Sequence, residues 1–327
     1  MYAQARVSAC RRFVVLNRRS VLLGAIGAGM GGCGPLDVLS SLVSVEKGGV
    51  LFADNLAYGA DPAQTMDVFR PERPGTAPIL IHVHGGRWDS GRAKESSFVG
   101  RAFAARGFVT VLPNYRKLPT HRYPVFLEDI AEVIHSVRKR AADWGGNPQQ
   151  IFLSGHSAGA HTVAMLALEE RWLSQVGLSR SVLGGVATLA GAFDVFPFRN
   201  ATVRAAFGQM PDPARAVPRI VAERGGPPLY IMHGTSDAIV PVSDAMRLFE
   251  SLRALGIEAT FVPYPSVGHM GILLALTRTF RNELAVMHNM IAFFERNGAT
   301  PLYPSSGDEK KPAPSVNVAA GEPQPGG

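Results

Sequence analysis

The chain has 327 residues, 46% of them hydrophobic and 18% charged, which is an ordinary globular composition with enough apolar material for one large α/β domain or two smaller ones. Its formal charge is +7, but Arg6, Arg11, Arg12, Arg18 and Arg19 fall within residues 1–32, which hold no Asp, Glu or Lys, so the remainder carries only 7 − 5 = +2. No basic stripe with interleaved aromatics runs through that remainder, and nucleic-acid binding is set aside. Both cysteines, Cys10 and Cys33, lie near the amino end, so the body has no disulfide, cysteine nucleophile or thiolate metal site.

Residues 1–33 have the layout of an export signal. A basic stretch ends at Asn17-Arg18-Arg19-Ser20 and is followed by a glycine-rich apolar run to Gly32, too short to cross a bilayer. The paired arginines resemble a twin-arginine signal, and Met30-Gly31-Gly32-Cys33 resembles a lipobox with Met where Leu is usual. Residues 34–49 read as a linker and 50–298 as one catalytic domain, while 299–327, rich in Pro, Gly and Ser, read as a disordered tail.

Within the domain, β-like pieces at 50–52 and 65–70 lead to a turn cluster at 71–78. Apolar runs at 79–83, 109–112, 151–153, 185–189, 229–232 and 260–262 then alternate with helix-period segments, the rhythm of βαβ units and a parallel sheet. Three apolar stripes predict helices that cover the sheet: Ile130, Val133, Ile134 and Val137; Ala245, Leu248, Phe249 and Leu252; and Phe280, Leu284, Met287, Ile291 and Phe294. Residues 170–182 and 196–226 break the rhythm and are expected to cap the site.

Chemistry gathers first at Gly155-His156-Ser157-Ala158-Gly159, between an apolar run and a helical one. This G-x-S-x-G pattern predicts a strand that reverses sharply into a helix, crowding both glycines and leaving Ser157 exposed at the apex. A serine hydroxyl needs a histidine base and an acid to orient it. Of nine histidines, His269 follows the last strand directly and is the favoured base; His233 reads as loop support and His288 as a helix position. Asp237, after the run at 229–232, is the favoured acid, Asp194 its rival, and Asp244 is accounted for by a helix N-terminus. The amide of Ala158 and the loop His84-Gly85-Gly86-Arg87-Trp88 are the expected oxyanion donors. His82 and His84 lie two apart on a strand with no third ligand near, so no metal and no cofactor is assigned. Trp88, Phe193, Phe196, Phe198 and Met270 flank these loops and can line a pocket or pack in the core.

The H-G-G-x-W loop, Asn114-Tyr-Arg-Lys-Leu-Pro, Tyr123-Pro with Leu127-Glu-Asp129, Gly145-Gly-Asn-Pro-Gln-Gln, Gly-His-Ser-Ala-Gly and His233-Gly-Thr-Ser-Asp together resemble the carboxylesterase and arylformamidase branch of the α/β-hydrolase superfamily, near the hormone-sensitive-lipase type. The likeness spans about residues 54–296 and implies the α/β-hydrolase fold: a mostly parallel central sheet, helices on both faces and a small cap insertion. It further implies that Gly86 and Arg87 supply the loop's oxyanion amides, Arg87 standing where lipase-type relatives have a third glycine. The expected reaction is hydrolysis of a small-molecule carboxylic ester through an acyl-enzyme. Amide hydrolysis on the same triad is the alternative, and a catalytically silent envelope binding module is the alternative from another class. The expected location is the periplasm or cell envelope, with membrane contact only where Cys33 carries a lipid; a signal cut without lipidation is the alternative. The sequence carries no signal for oligomeric state.

Overall fold

The computed structural model describes residues 46–303 and the backbone of 316–318; the expected export signal, residues 1–33, lies outside them. Nine strands form one sheet in the order β1-β2-β4-β3-β5-β6-β7-β8-β9. They are β1 Gly49–Ala57, β2 Thr65–Pro71, β3 Ala77–Val83, β4 Val109–Pro113, β5 Gly146–His156, β6 Leu183–Leu189, β7 Leu229–Gly234, β8 Ala259–Tyr264 and β9 Val316–Val318. Strands β3 to β8 pair in parallel, and antiparallel pairs occur at the two margins, β1 with β2, β2 with β4, and β8 with β9. Every residue of β3 is buried, as a central parallel strand covered on both faces requires.

Two cores follow from this layering. On one face, α2 (Val125–Arg140), α3 (Ala158–Leu168) and α5 (Val242–Ala254) bury Ile130, Ile134, Val163, Leu166, Leu248 and Leu252. On the other, α1 (Ser97–Ala104), α6 (His269–Leu274) and α7 (Val286–Arg296) bury Val99, Phe103, Ile272, Met287 and Phe294. Helix α3 is buried along its whole length, because the crossover from β6 to β7 covers its outer side. That crossover contains α4 (Ala201–Phe207), whose Phe207 packs edge-on against Trp88 at 4.9 Å.

The structure corrects several boundaries. The last stripe is buried apart from the half-buried Leu284, but its helix begins only at Val286; Phe280 and Leu284 precede it. Successive tight turns wind this stretch, with the amides of Phe280 and Arg281 on Thr277 O and that of Glu283 on Phe280 O, and turns repeat apolar residues at the same spacing as a helix. The linker expected over 34–49 is already structure at Glu46, whose carboxylate binds Arg281 and Arg106. The expected disordered tail also starts too early: Leu302 N donates to Gly107 O, and residues 316–318 add an antiparallel strand to β8. Residues 170–182 do not cap the carboxyl ends of the strands. They follow α3, which runs back from Ser157, and they lead into Leu183, paired with Ile151 near the start of the β5 core run. Residues 196–226 remain as the insertion on the site's side.

Glu46 is 13% exposed at its side chain, Arg281 6% and Arg106 18%. Glu46→Gln keeps the shape but removes the charge between two largely buried guanidinium groups, at an expected cost of about 1–3 kcal/mol. Thermal unfolding should show a melting temperature lower by several degrees, since 1 kcal/mol shifts a domain of this size by roughly 2–4 °C.

Candidate active site

The carboxyl ends of β3, β5, β7 and β8 deliver the expected residues to one end of the sheet, where parallel α/β sheets carry their sites. Ser157 links β5 to α3 with φ 56° and ψ −116°, a conformation that costs of order 1–3 kcal/mol in a residue other than glycine. The reversal closes only on glycines. A Cβ at Gly155 would lie 2.4 Å from Gly159 O, and one at Gly159 would lie 2.1 Å from Val83 O. Ser157 N is fixed on Leu189 O at 2.9 Å, and Ser157 O accepts from Ala192 N at 3.3 Å. These contacts sink the serine to 7% exposure, so it is not the exposed apex the motif suggested. The loops after β3 and β6 close around it.

His269 opens α6 directly after β8, and its Nδ1 lies 2.7 Å from Asp237 Oδ2. Asp237 Oδ1 accepts from the amides of Ile239 and Val240 at 2.9 and 2.8 Å, which fixes the carboxylate. His233 supports the same loop, as expected: its Nε2 sits 3.0 Å from Val240 O and 3.2 Å from Asp237 Oδ2. Burial alone would raise the Asp237 carboxyl, but the hydrogen bonds from His233 and His269 and the Val240 amide outweigh it and hold it well below the usual carboxylate range. An ionised Asp237 keeps a proton on His269 Nδ1 and leaves Nε2 as the basic nitrogen.

The rival acids are engaged elsewhere. Asp194 is held by Arg247 at 2.6 Å and Arg219 at 3.1 Å. Asp244, beyond its place in the first turn of α5, is bound by Arg199 at 2.9 Å and Arg247 at 2.8 Å. His288 sits half-buried on α7. Of the aromatic candidates, Trp88 and Phe193 are core residues, whereas Phe196 is exposed and meets Phe198 at 5.3 Å. Met270 is partly buried beside His269.

The loop 84–91 lies against the elbow: a Cβ at Gly85 would be 3.1 Å from His156 Nδ1 and 3.2 Å from Ser157 Cβ. Ala158 is the first residue of α3, so its amide has no partner within the helix. Arg87 and Trp88 take φ of 51° and 63°, left-handed backbone that glycine adopts more readily than other residues. The Arg87 side chain is 66% exposed and runs outward to Asp89 at 3.7 Å.

Sequence reasoning missed the supports behind these residues. His156, the variable residue before Ser157, donates from Nε2 to His269 O at 3.0 Å and so ties His269 to the elbow. Burial, and then the neighbouring His269, push the His156 imidazole well down, so it is neutral. Residues 114–118 brace the loop from outside: Tyr115 OH donates to His84 O, Lys117 Nζ to Gly91 O, and Leu118 N to Trp88 O. Arg116 anchors this brace on buried Asp129. The Asn-Tyr-Arg-Lys motif was the only signal. On β3, His82 Nδ1 pairs with Ser154 Oγ at 2.8 Å, a contact within the core.

Because Asp237 is held low in the folded chain and returns to about 3.9 on unfolding, it stabilises the fold above that pH, and the contribution is lost as pH falls through the folded value. Asp237→Asn should therefore lose less melting temperature than the parent between about pH 5 and about pH 2.5, read by circular dichroism.

The BD-FAE family model matches residues 66–181, and that of the prolyl oligopeptidase family matches residues 125–299, more than half of the chain. Esterase LipC of Mycobacterium tuberculosis is 32% identical over 247 residues, covering 68% of this chain and 60% of its own length. The isoprenylcysteine alpha-carbonyl methylesterase ICME of Arabidopsis thaliana is 25% identical over 242 residues, covering 67% of this chain and 57% of its own. The chain thus spans somewhat under two thirds of these relatives. Among solved structures, esterase B of Lactobacillus rhamnosis superposes with a TM-score of 0.69 at 19% identity, over 78% of this chain and 88% of the other. A carbohydrate esterase from gut microbiota gives a TM-score of 0.67 at 20% identity, over 77% and 97%. The solved structures share the fold of the sheet, the prolyl oligopeptidase model covers more than half of the chain, and the chain belongs to the prolyl oligopeptidase family.

Proposed function

We propose that this protein hydrolyses carboxylic esters of small molecules through an acyl-enzyme. Ser157 Oγ attacks the ester carbonyl while His269 Nε2 takes its proton. The proton then passes to the departing alcohol, and water releases the acid by the same steps in reverse roles. Asp237 holds His269 and stabilises the imidazolium. The amides of Gly86, Arg87 and Ala158 receive the oxyanion, each such donor being worth roughly 10²–10³ in rate. The observation that carries this reading is the 2.7 Å Asp237–His269 pair, with His269 O tied at 3.0 Å to the residue before Ser157.

The prolyl oligopeptidase match over residues 125–299 favours a second reading, cleavage of an amide by the same groups. Purified protein assayed on p-nitrophenyl esters and on formyl-aryl amides separates the two. Ser157→Ala should lower ester turnover by about 10³-fold or more and abolish labelling by a fluorophosphonate. Full activity in that variant ends the proposal, and a parent protein that neither turns over nor labels supports a silent binding module.

We also propose export to the cell envelope, supported by the paired Arg18-Arg19 and the apolar run before Cys33, with a lipid carried on that cysteine. Cys33→Ala should move the protein from the membrane fraction to the soluble one; unchanged membrane association rules the lipid out.

A further inference from the structure

The loop amides assigned to the oxyanion belong to two successive peptide groups, Gly85–Gly86 and Gly86–Arg87. In a flat trans peptide the N–H points opposite to the carbonyl, so whatever anchors the carbonyl aims the amide. Both carbonyls are anchored inside the loop. Gly85 O lies 2.5 Å from His84 Nδ1. Gly86 O takes the amides of Asp89 at 3.0 Å and Ser90 at 2.9 Å, and at 2.9 Å it competes with Asp89 Oδ1 for the single proton of the Ser90 hydroxyl. The same hydroxyl lies 2.8 Å from Asp89 Oδ1. Among the described residues, neither Gly86 N nor Arg87 N meets an acceptor. Both amides therefore face out of the loop.

The anchors are themselves held. His84 is buried and stacks on Tyr115 with ring centres 4.5 Å apart and planes 18° off parallel. Burial pushes its imidazole down to about 3, so it is neutral and carries one ring proton. Facing a carbonyl, that proton resides on Nδ1, and Nε2 has no partner. Gly91 closes the loop behind, where a Cβ would lie 2.4 Å from Gly85 O and 2.6 Å from His84 Nδ1. Left-handed backbone at Arg87 and Trp88 is unfavourable for residues other than glycine, and these contacts must offset it.

We propose that His84 and Ser90 are positioning residues that aim the Gly86 and Arg87 amides at the reacting carbonyl, so that the oxyanion hole is formed before substrate binds. This deepens, and rests on, the hydrolase reading above. Without the His84 proton, the Gly85–Gly86 peptide is free to turn and to present an oxygen where the oxyanion needs a donor. Ser90 acts more weakly, because two backbone amides share its acceptor.

Steady-state hydrolysis of p-nitrophenyl butyrate tests this in His84→Phe, which keeps a flat ring on Tyr115 but has no proton to give, and in Ser90→Ala and Ser90→Thr. The expected kcat falls about 10- to 100-fold in His84→Phe and about 3- to 10-fold in Ser90→Ala, with KM within about two-fold of the parent. Ser90→Thr should retain the parent kcat. Parent kcat in both deletion variants overturns the proposal, as does a rise in KM in place of the fall in kcat. Failure of Ser90→Thr to restore the rate overturns the role of Ser90. If His84→Phe does not fold, the Ser90 pair decides. A parent protein that hydrolyses no ester and takes no fluorophosphonate overturns the functional reading instead. The proposal then rests on crystal structures of the variants: a turned peptide at 85–86 or 86–87 upholds it, and peptides in the parent orientation overturn it.

Discussion

The contact on which everything else depends is a backbone-to-backbone approach between α3 and β3. Gly159 leans on Val83 O so closely that a Cβ would sit at 2.1 Å, and Gly155 admits no Cβ beside Gly159. That approach turns the chain at Ser157 and starts the buried helix beneath it. It also brings the end of β3 beside the nucleophile, so the loop that opens at His84 must emerge next to Ser157. Two glycines thus fix how the serine and its neighbouring donors lie against one another. The strain at Ser157, of order 1–3 kcal/mol, persists because the sheet on one side and the crossover on the other leave the turn no room to relax.

Around this fixed point the charges are arranged with economy. The Asp237 carboxylate is saturated: two amides on Oδ1, two imidazoles on Oδ2. The histidines that surround it do different work because their environments differ. His269 keeps Nε2 free of the acid. His156 and His84 are buried and neutral, and each commits its proton to a backbone carbonyl. Neutral donors hold loops without placing positive charge beside His269.

How much of this was legible depended on whether the cause was local. The turn at Ser157 and the meeting of Asp237 with His269 could be read because each lies within a few residues of a strand end and is marked by glycine or by its order along the chain. The parallel strands could be read because central strands are apolar throughout. The burial of Ser157 could not, since it comes from loops far away in sequence that close over the turn. His156 stood in plain view as a variable motif position, but its partner is a carbonyl 113 residues away. The beginning of α7 was hidden because consecutive turns reproduce helical spacing. The place of residues 170–182 was a matter of direction: a helix that leaves the site delivers its successor to the other end of the sheet.

The crossover that contains α4 meets the site from two sides. At one end Arg199 is bound to Asp244, which shares Arg247 with Asp194, and Asp194 in turn holds Arg219 of the same crossover. At the other, Phe207 is wedged against Trp88 of the oxyanion loop and against Tyr123 and Phe126. The stretch from Arg199 to Phe207 is thus held at both of its ends, by ion pairs at Arg199 and by aromatic packing at Phe207, and the ion pair of Arg219 fastens the return of the chain to the same side as Arg199.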